Sequence, residues 1–426
     1  MAHPAGQPGE PKSLRVAVID FGETEAQSLS LTTPIAGLPL VLRILLPLRR
    51  VGVNTFLLLG RVGREILPVL EEDPRLEGQV QAVTSLDPVR SFANGPLIIL
   101  RGIVALEREI LDELARRAEK ESIFYVDPET DGESGPSGWH GIGVISIRSV
   151  QDHIPSDDLP TLLQTLRAKG LLRVQPAKAE LLWTVRHSAD AEIWEHRLFA
   201  KLEARHGRPW FQHVVNRRVS AWTTRHLVST PITPNQVTVA SLAIGLLAAA
   251  CFLPDSFGWS LVGWLLFELS YVLDCADGEL ARLKMQESAV GAWIDSMADN
   301  VVQAAILFFL GVRLQRSTGH WGFLALGAGG AVGMLITGAV VTHFFVRDKG
   351  LRLADVRTGW IGRLGLWRLG ASLEQTANRD PFALALLAAV VFNRVDLFLW
   401  VAAVGVNAYL ALLLLLKRAT HREAIT

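Results

Sequence analysis

Cysteine is scarce: the two in 426 residues, Cys251 and Cys275, both lie in apolar runs. That excludes a disulfide framework and argues against a thiolate zinc site, and it points to a reducing compartment. Neither sign of charge is in excess, with 42 Lys and Arg against 42 Asp and Glu. No global field therefore recruits nucleic acid or an acidic partner. The opening MAHPAGQPGEPK lacks the apolar core of a signal peptide, and residues 1–13 are expected to form a disordered tail.

Apolar runs long enough to span a membrane are absent from the first half of the chain. Over residues 14–178, short apolar runs alternate with amphipathic segments. LRVAVIDFG, NTFLLLG, PLIIL, IFYVDP and GIGVISI have strand character, whereas LPLVLRILLPLRRVG, REILPVLEED, LEREILDELARRAEKES and LPTLLQTLRAKG carry helical periodicity. The alternation predicts a soluble α/β domain with a mainly parallel sheet.

Beyond Pro234 the solvent changes. Apolar runs at about 236–254, 258–276, 292–312, 321–346, 381–393 and 396–416 predict an all-α polytopic membrane domain of six transmembrane helices over 236–416, with 417–426 as a tail. The fifth run is short for a span. Lys and Arg crowd before the first run, after the second and fourth, and at the end, which predicts both termini and the soluble domain on the cytoplasmic side of the cell membrane. Arg313 and Arg316 stand against that pattern, while Trp259 and Trp321 suit an interfacial belt. Between the halves, 179–235 holds two amphipathic segments, with Trp194, Phe199, Phe211 and Trp222 on apolar stripes. Cations opposite those stripes suit helices lying on a lipid surface, or a linker helix packed on the first domain.

The stretch DCADGELARLKMQESAVGAWIDSMAD places four acids inside otherwise bilayer-compatible sequence. Asp274 and Asp277 are three apart and Asp295 and Asp299 four apart, so each pair shares one helix face. An antiparallel hairpin brings the pairs to one depth, where they repel unless cations neutralise them. Hard oxygen ligands select Mg²⁺, Mn²⁺ or Ca²⁺, and four charges call for two divalent ions. Gly278, Ala281, Gly291 and Ala292 leave room beside the acids, and Arg282 adds a positive fork. Room, metal and guanidinium together describe a diphosphate pocket. A divalent-cation transporter or a nonenzymatic metal-stabilised membrane protein is the alternative from another class, since intramembrane acids also mark ion paths.

This stretch resembles the signature of the CDP-alcohol phosphotransferases, D-x2-D-G-x2-A-R-x8-G-x3-D-x3-D, at every specified position. The resemblance implies a dimeric membrane enzyme that moves a phosphoryl-alcohol group from a CDP-linked donor to an acceptor alcohol and releases CMP. It implies Asp274, Asp277, Asp295 and Asp299 as ligands of two Mg²⁺ or Mn²⁺ ions, with Asp299 as general base and a role shared by Asp295. TPITPNQVT resembles the family's P-N-x-x-T element, so nucleotide contacts are expected from Asn235, Thr238, Asp274, Gly278, Ala281, Arg282 and Gly291. Unaided by resemblance, Thr233, Pro234 and Gln236 fit a capping box, whose helix N-terminus offers N–H groups to phosphate. A polyol phosphate acceptor could be met by Arg347, Lys349 and Arg352, although such a cluster is more often simply positive-inside anchoring.

An α/β domain ahead of such a membrane unit resembles the bifunctional inositol-phosphate cytidylyltransferase/phosphotransferase proteins, and residues 34–60 resemble their nucleotidyltransferase segment. The glycine loop of that family is reduced to Gly22 in IDFGETEAQ. Where metal-binding aspartates are expected, the chain has Arg101 and Gly102, and further on Arg186 or His187. A nucleotidyltransferase-like domain without catalysis of its own is expected. The resemblance leaves the donor as CDP-inositol-like or CDP-diacylglycerol.

Overall fold

The computed structural model describes residues 16–22, 29–91, 95–118, 121–128, 139–146, 158–204, 211–347 and 379–423. The chain divides into two compact units, Met1–Ala200 and Lys201–Thr426.

In the first unit, β1 (Val16–Asp20), β4 (Thr55–Leu59), β5 (Val80–Val83), β6 (Pro96–Arg101), β8 (Ile123–Val126), β9 (Gly141–Ser146) and β10 (Arg173–Pro176) form one sheet. Its order is β10-β8-β9-β6-β1-β4-β5. Pairs β1·β4, β1·β6, β4·β5 and β8·β10 are parallel, whereas β9 runs antiparallel to both neighbours. The expected mainly parallel sheet is present, with β9 as the inserted exception. Gly141 and Gly143 permit that insertion, because a Cβ on Gly141 would fall 1.9 Å from Tyr125 O and one on Gly143 2.5 Å from Ile123 O. Central strands buried along their length have residues such as Val18, Ile19, Leu57, Leu58, Ile98 and Ile99 at both faces, as a sheet covered on both sides requires.

Helices α1 (Leu40–Arg50), α2 (Gly60–Glu71), α3 (Asp87–Ser91), α4 (Arg108–Arg117) and α5 (Leu159–Ala168) follow the strands. Two small ribbons complete the unit: β2 (Pro34–Ile35) with β3 (Leu38–Pro39), and β7 (Val104–Leu106) with β11 (Leu182–Thr184). The sequence 182–184, read as connecting segment, is thus a strand. Arg186 and His187 donate backbone N–H groups to Asp190 Oδ2 at 2.8 and 3.0 Å, which fixes the start of α6 (Ser188–Ala204). Trp194 and Phe199 on α6 are buried, so its apolar stripe is covered by protein.

In the second unit, α7 (Phe211–Val228) leads to α8 (Pro234–Ala250), α9 (Phe257–Leu283), α10 (Ala289–Thr318), α11 (Trp321–Arg347), α12 (Arg379–Val391) and α13 (Val395–Glu423). Among the described residues, four helices are long and apolar enough to cross a membrane: Phe257–Leu283, Val290–Thr318, Trp321–Thr342 and Val395–Leu415. The other two of the six expected spans are shorter apolar helices, Pro234–Ala250 and Pro381–Val391. Large apolar side chains, including Leu247, Leu265, Trp400 and Val401, are exposed on these helices, as lipid contact allows. Trp259 and Trp321 are likewise exposed at the first turns of α9 and α11.

Interior contacts are set by small residues. A Cβ on Gly311 would lie 2.8 Å from Phe323 O, and one on Gly327 2.7 Å from Leu307 O, so α10 and α11 meet backbone to backbone. Polarity in α7 is inverted: Asn216, Ser220 and Thr224, four residues apart, are buried, while Trp222 is 63% exposed. Asn216 Nδ2 donates to Glu268 Oε2 at 2.9 Å and Thr224 Oγ1 to Glu279 Oε2 at 2.8 Å, so this polar face is matched to α9.

Arg313, the exception to the loop-charge pattern, is buried and neutralised. Its Nε and Nη2 donate to Asp255 Oδ1 at 3.0 and 2.6 Å, and its Nη1 to Ser260 Oγ at 2.7 Å. Asp255→Asn should lower the thermal midpoint of the detergent-purified protein, at a cost of about 1–3 kcal/mol, because it strips the charge partner from a buried guanidinium. An unchanged midpoint would refute a stabilising role for the pair.

Candidate active site

The aspartate hairpin forms where α9 ends and α10 begins. Lys284 closes α9, Met285 turns the chain at φ +53°, and Ser288 caps α10 by accepting Gly291 N–H at 2.9 Å. Asp274, Asp277 and Asp295 present carboxylate oxygens within 4.8 Å of one another. Oxygens sharing one ion, or bridging two, are separated by up to roughly 4–5 Å, twice a metal–oxygen bond. Among the described residues, Asp274 Oδ1 and Asp295 Oδ1 are buried without a hydrogen-bond partner, and Asp274 is in contact with Asp295 and Asp299. Carboxylates so placed, with orphaned oxygens in a protein interior, fit a divalent cation.

Asp277, only 3% exposed, accepts Thr238 Oγ1 at 2.5 Å. That bond joins α8 to α9 beside the cluster. The capping box expected at the start of α8 is present: Thr233 Oγ1 accepts Gln236 N–H at 3.4 Å, and Gln236 Oε1 accepts Thr233 N–H at 2.9 Å. Asn235 lies against the first turn of α10, since a Cβ on Gly291 would come 3.8 Å from Asn235 Oδ1. The first turns of α8 and α10 therefore lie together near the acids; their caps occupy the N–H groups of Gln236 and Gly291, but the positive ends of both helix dipoles suit an anion.

Gly278 has a different environment from the packing glycines. Among the described residues, the atoms nearest a Cβ built there belong to the Arg282 guanidinium, at 3.5 Å and beyond. Ala281 and Arg282 lie one turn along the same helix, both half-buried. The fold thus brings Asn235, Thr238, Gly278, Arg282 and Gly291 to the neighbourhood of Asp274, Asp277 and Asp295.

Asp299 stands outside the close trio, and its partner is a residue the sequence reading missed. Arg379, first residue of α12 and 5% exposed, pairs through Nη1 with Asp299 Oδ1 and lies 3.6 Å from Asp274 Oδ2. Its Nη2 donates to Ser270 Oγ at 2.8 Å, and its guanidinium lies 4.8 and 4.9 Å from the ring centroids of Phe267 and Tyr271. A cation at a helix N-terminus opposes the helix dipole, so the aspartates decide its position. The signal available in the sequence was one Arg just before Pro381, at the edge of an apolar run too short to span unaided. Arg347 ends α11 with its side chain outside the described residues, as are Lys349 and Arg352 altogether. In the first unit, Arg101 at the end of β6 lies 3.5 Å from Asp20 Oδ2 and donates to Trp139 O at 3.2 Å. Asp20 Oδ1 also accepts Gly22 N–H at 3.0 Å, and residues 23–28 of the expected glycine loop are outside the described residues.

Residues 231–366, within the apolar helical half, match the model of the CDP-alcohol phosphatidyltransferase family. A bifunctional IPC transferase and DIPP synthase of Aquifex aeolicus is 37% identical over 112 residues, 26% of this chain and 24% of that one. The archaetidylinositol phosphate synthase of Pyrococcus horikoshii is 35% identical over 82 residues, 19% of this chain and 42% of that one. The chain thus spans about a quarter to two fifths of the length of these relatives. Among solved structures, the inositol-1-phosphate CTP transferase of T. maritima aligns with a TM-score of 0.31 and 15% identity, over 43% of this chain and 94% of that one.

Proposed function

We propose that the protein is a membrane CDP-alcohol phosphotransferase in which Asp274, Asp277 and Asp295 hold two Mg²⁺ or Mn²⁺ ions and Asp299 serves as a shared ligand and general base. The observation that carries this reading is the trio of carboxylates within 4.8 Å, two with orphaned oxygens, inside a matched family domain. Charge supports the count of two ions. Four acids with Arg282 and Arg379 leave a deficit of two positive charges; two divalent ions overshoot it by two, and the two negative charges of a donor diphosphate restore neutrality.

When bound, the ions screen the diphosphate and stabilise the departing CMP. The chain's own groups do the rest. Arg282 and the N-termini of α8 and α10 bind the diphosphate, and Gly278 lets it approach the aspartates closely. Asp299, held by Arg379, takes the acceptor hydroxyl's proton as the acceptor oxygen bonds to the donor's distal phosphorus. The bond from that phosphorus to the CMP oxygen breaks, and CMP leaves. Arg347, Lys349 and Arg352 are proposed contacts for a polyol phosphate acceptor. The donor in this reading is CDP-inositol-like or CDP-diacylglycerol, and the names of the relatives are compatible with either. The Asp20–Arg101 pair and the reduced glycine loop support a nucleotidyltransferase-like first unit without catalysis of its own. A cytoplasmic soluble unit and a homodimer complete the reading.

Purified protein supplied with CDP-inositol or CDP-diacylglycerol and a panel of alcohol and polyol phosphate acceptors should release CMP with Mg²⁺ or Mn²⁺, and stop on chelation. Release that persists after exhaustive chelation sinks the metal assignment. Metal uptake into vesicles with no CMP from any donor favours a transporter instead.

A further inference from the structure

Resting on the proposed function, one charged residue near the signature has no assigned part in it. Lys284 is 7% exposed and closes α9 two residues after Arg282. Its Nζ donates to Thr230 O at 2.6 Å and Ile232 O at 2.8 Å. Both carbonyls belong to the five-residue connector between α7 and α8, directly upstream of the Thr233 cap and Asn235. Burial lowers the ammonium's pKa, and hydrogen bonds to the two carbonyls offset part of that cost.

The connector is constrained from its other end as well. Glu279, 2% exposed, accepts Thr224 Oγ1 at 2.8 Å and pairs with Arg217 Nη1 at 3.5 Å, which fastens the last turns of α7 to α9. Past the connector, Thr238 is bonded to Asp277. Between these fixed points, the residues that position the first turn of α8 are the connector carbonyls, and Lys284 holds two of them.

We infer that Lys284 is a positioning residue: by gripping Thr230 O and Ile232 O from the end of the signature helix, it sets the N-terminus of α8 and Asn235 at the correct distance from the aspartates to receive the donor diphosphate. It touches no substrate. Its effect is on donor binding, and the acceptor and the chemical step are reached only through other residues.

The variants Lys284→Met, which keeps the stem and removes the charge, and Lys284→Arg, which keeps two donors, test this against the full-length protein in detergent. CDP with Mg²⁺ is the calorimetric probe. Lys284→Met should bind it about tenfold more weakly than wild type, and Lys284→Arg should recover most of the loss. In the nucleotide-free protein, amide exchange over 230–238 should be faster in Lys284→Met than in wild type and near wild type in Lys284→Arg. Equal CDP affinity in wild type and Lys284→Met, or no change in exchange over 230–238, overturns the inference. If wild type binds no CDP, the CDP-alcohol reading itself fails, and the exchange measurement still decides whether Lys284 holds the connector. Should Lys284→Met fail to accumulate, Lys284→Gln, whose neutral amide sits on a shorter stem, is expected between the two, and wild-type affinity and exchange in it also overturn the inference.

Discussion

Asp277→Asn should reduce CMP release by about 10³-fold or more, roughly 4 kcal/mol of transition-state stabilisation, while the protein still folds and inserts. The substitution preserves shape. Asn can still accept Thr238 Oγ1–H, which Asp277 does at 2.5 Å, so the α8–α9 contact survives. What disappears is one negative charge at a site 3% exposed, where a lost metal ligand cannot be replaced by water at equal strength. The measurement is turnover per inserted protein, with insertion read from membrane extraction and a thermal midpoint. Activity within tenfold of wild type would discredit Asp277 as a ligand.

Gly278→Ala is the second large effect, and it separates packing from function. In a helix interior, Ala is favoured over Gly by about 1 kcal/mol. Among the described residues, the new Cβ meets the Arg282 guanidinium at 3.5 Å or more and no closer atom that would forbid it. Stability should hold or rise. Turnover should nevertheless fall about 10²-fold, with weaker donor binding, because the methyl occupies space needed by the diphosphate. Gly245→Ala is the control: its Cβ would lie 2.4 Å from Val302 Cγ2, so there the expected loss is in stability. A Gly278→Ala protein with wild-type turnover would show that the open space beside Arg282 is not used.

Much of the site was legible because its signals are local. Spacings of three and four on two helices, joined by a short polar turn, oblige Asp274, Asp277, Asp295 and Asp299 to meet once the hairpin closes. The cap at Thr233 and Gln236 was equally readable, since a capping box is a four-residue pattern. Arg379 was not, because 80 residues separate it from Asp299 and no periodicity links an arginine to a particular acid at that distance. A weaker signal was present in Glu268 and Glu279, two further acids within an apolar run, which demanded partners. Those partners are Asn216, Arg217 and Thr224 on α7. A stripe rule that assigns apolar residues to the covered face therefore misreads α7, where Trp222 faces outward and the polar side faces protein.

In the first unit the five strong strands could be read from their apolar runs, whereas β5 and β10, VQAV and RVQP, are too polar and short to stand out. The direction of β9 was also beyond sequence pattern, since alternation and burial read the same in either direction and only the glycines against β8 hint at close approach.

Composition and spacing by themselves determined that the chain has an α/β part without long apolar runs and an apolar helical part, and that the latter holds four acids on two adjoining helix faces. Those properties follow from short-range geometry, which the backbone imposes wherever the residues occur. The tertiary structure alone decided that Arg379 neutralises Asp299, that Lys284 and Glu279 fasten α7 and the connector to α9, and that the space beside Gly278 is left open. Each depends on which distant helices pack together, and a buried charge finds its partner only once that packing removes water as the alternative.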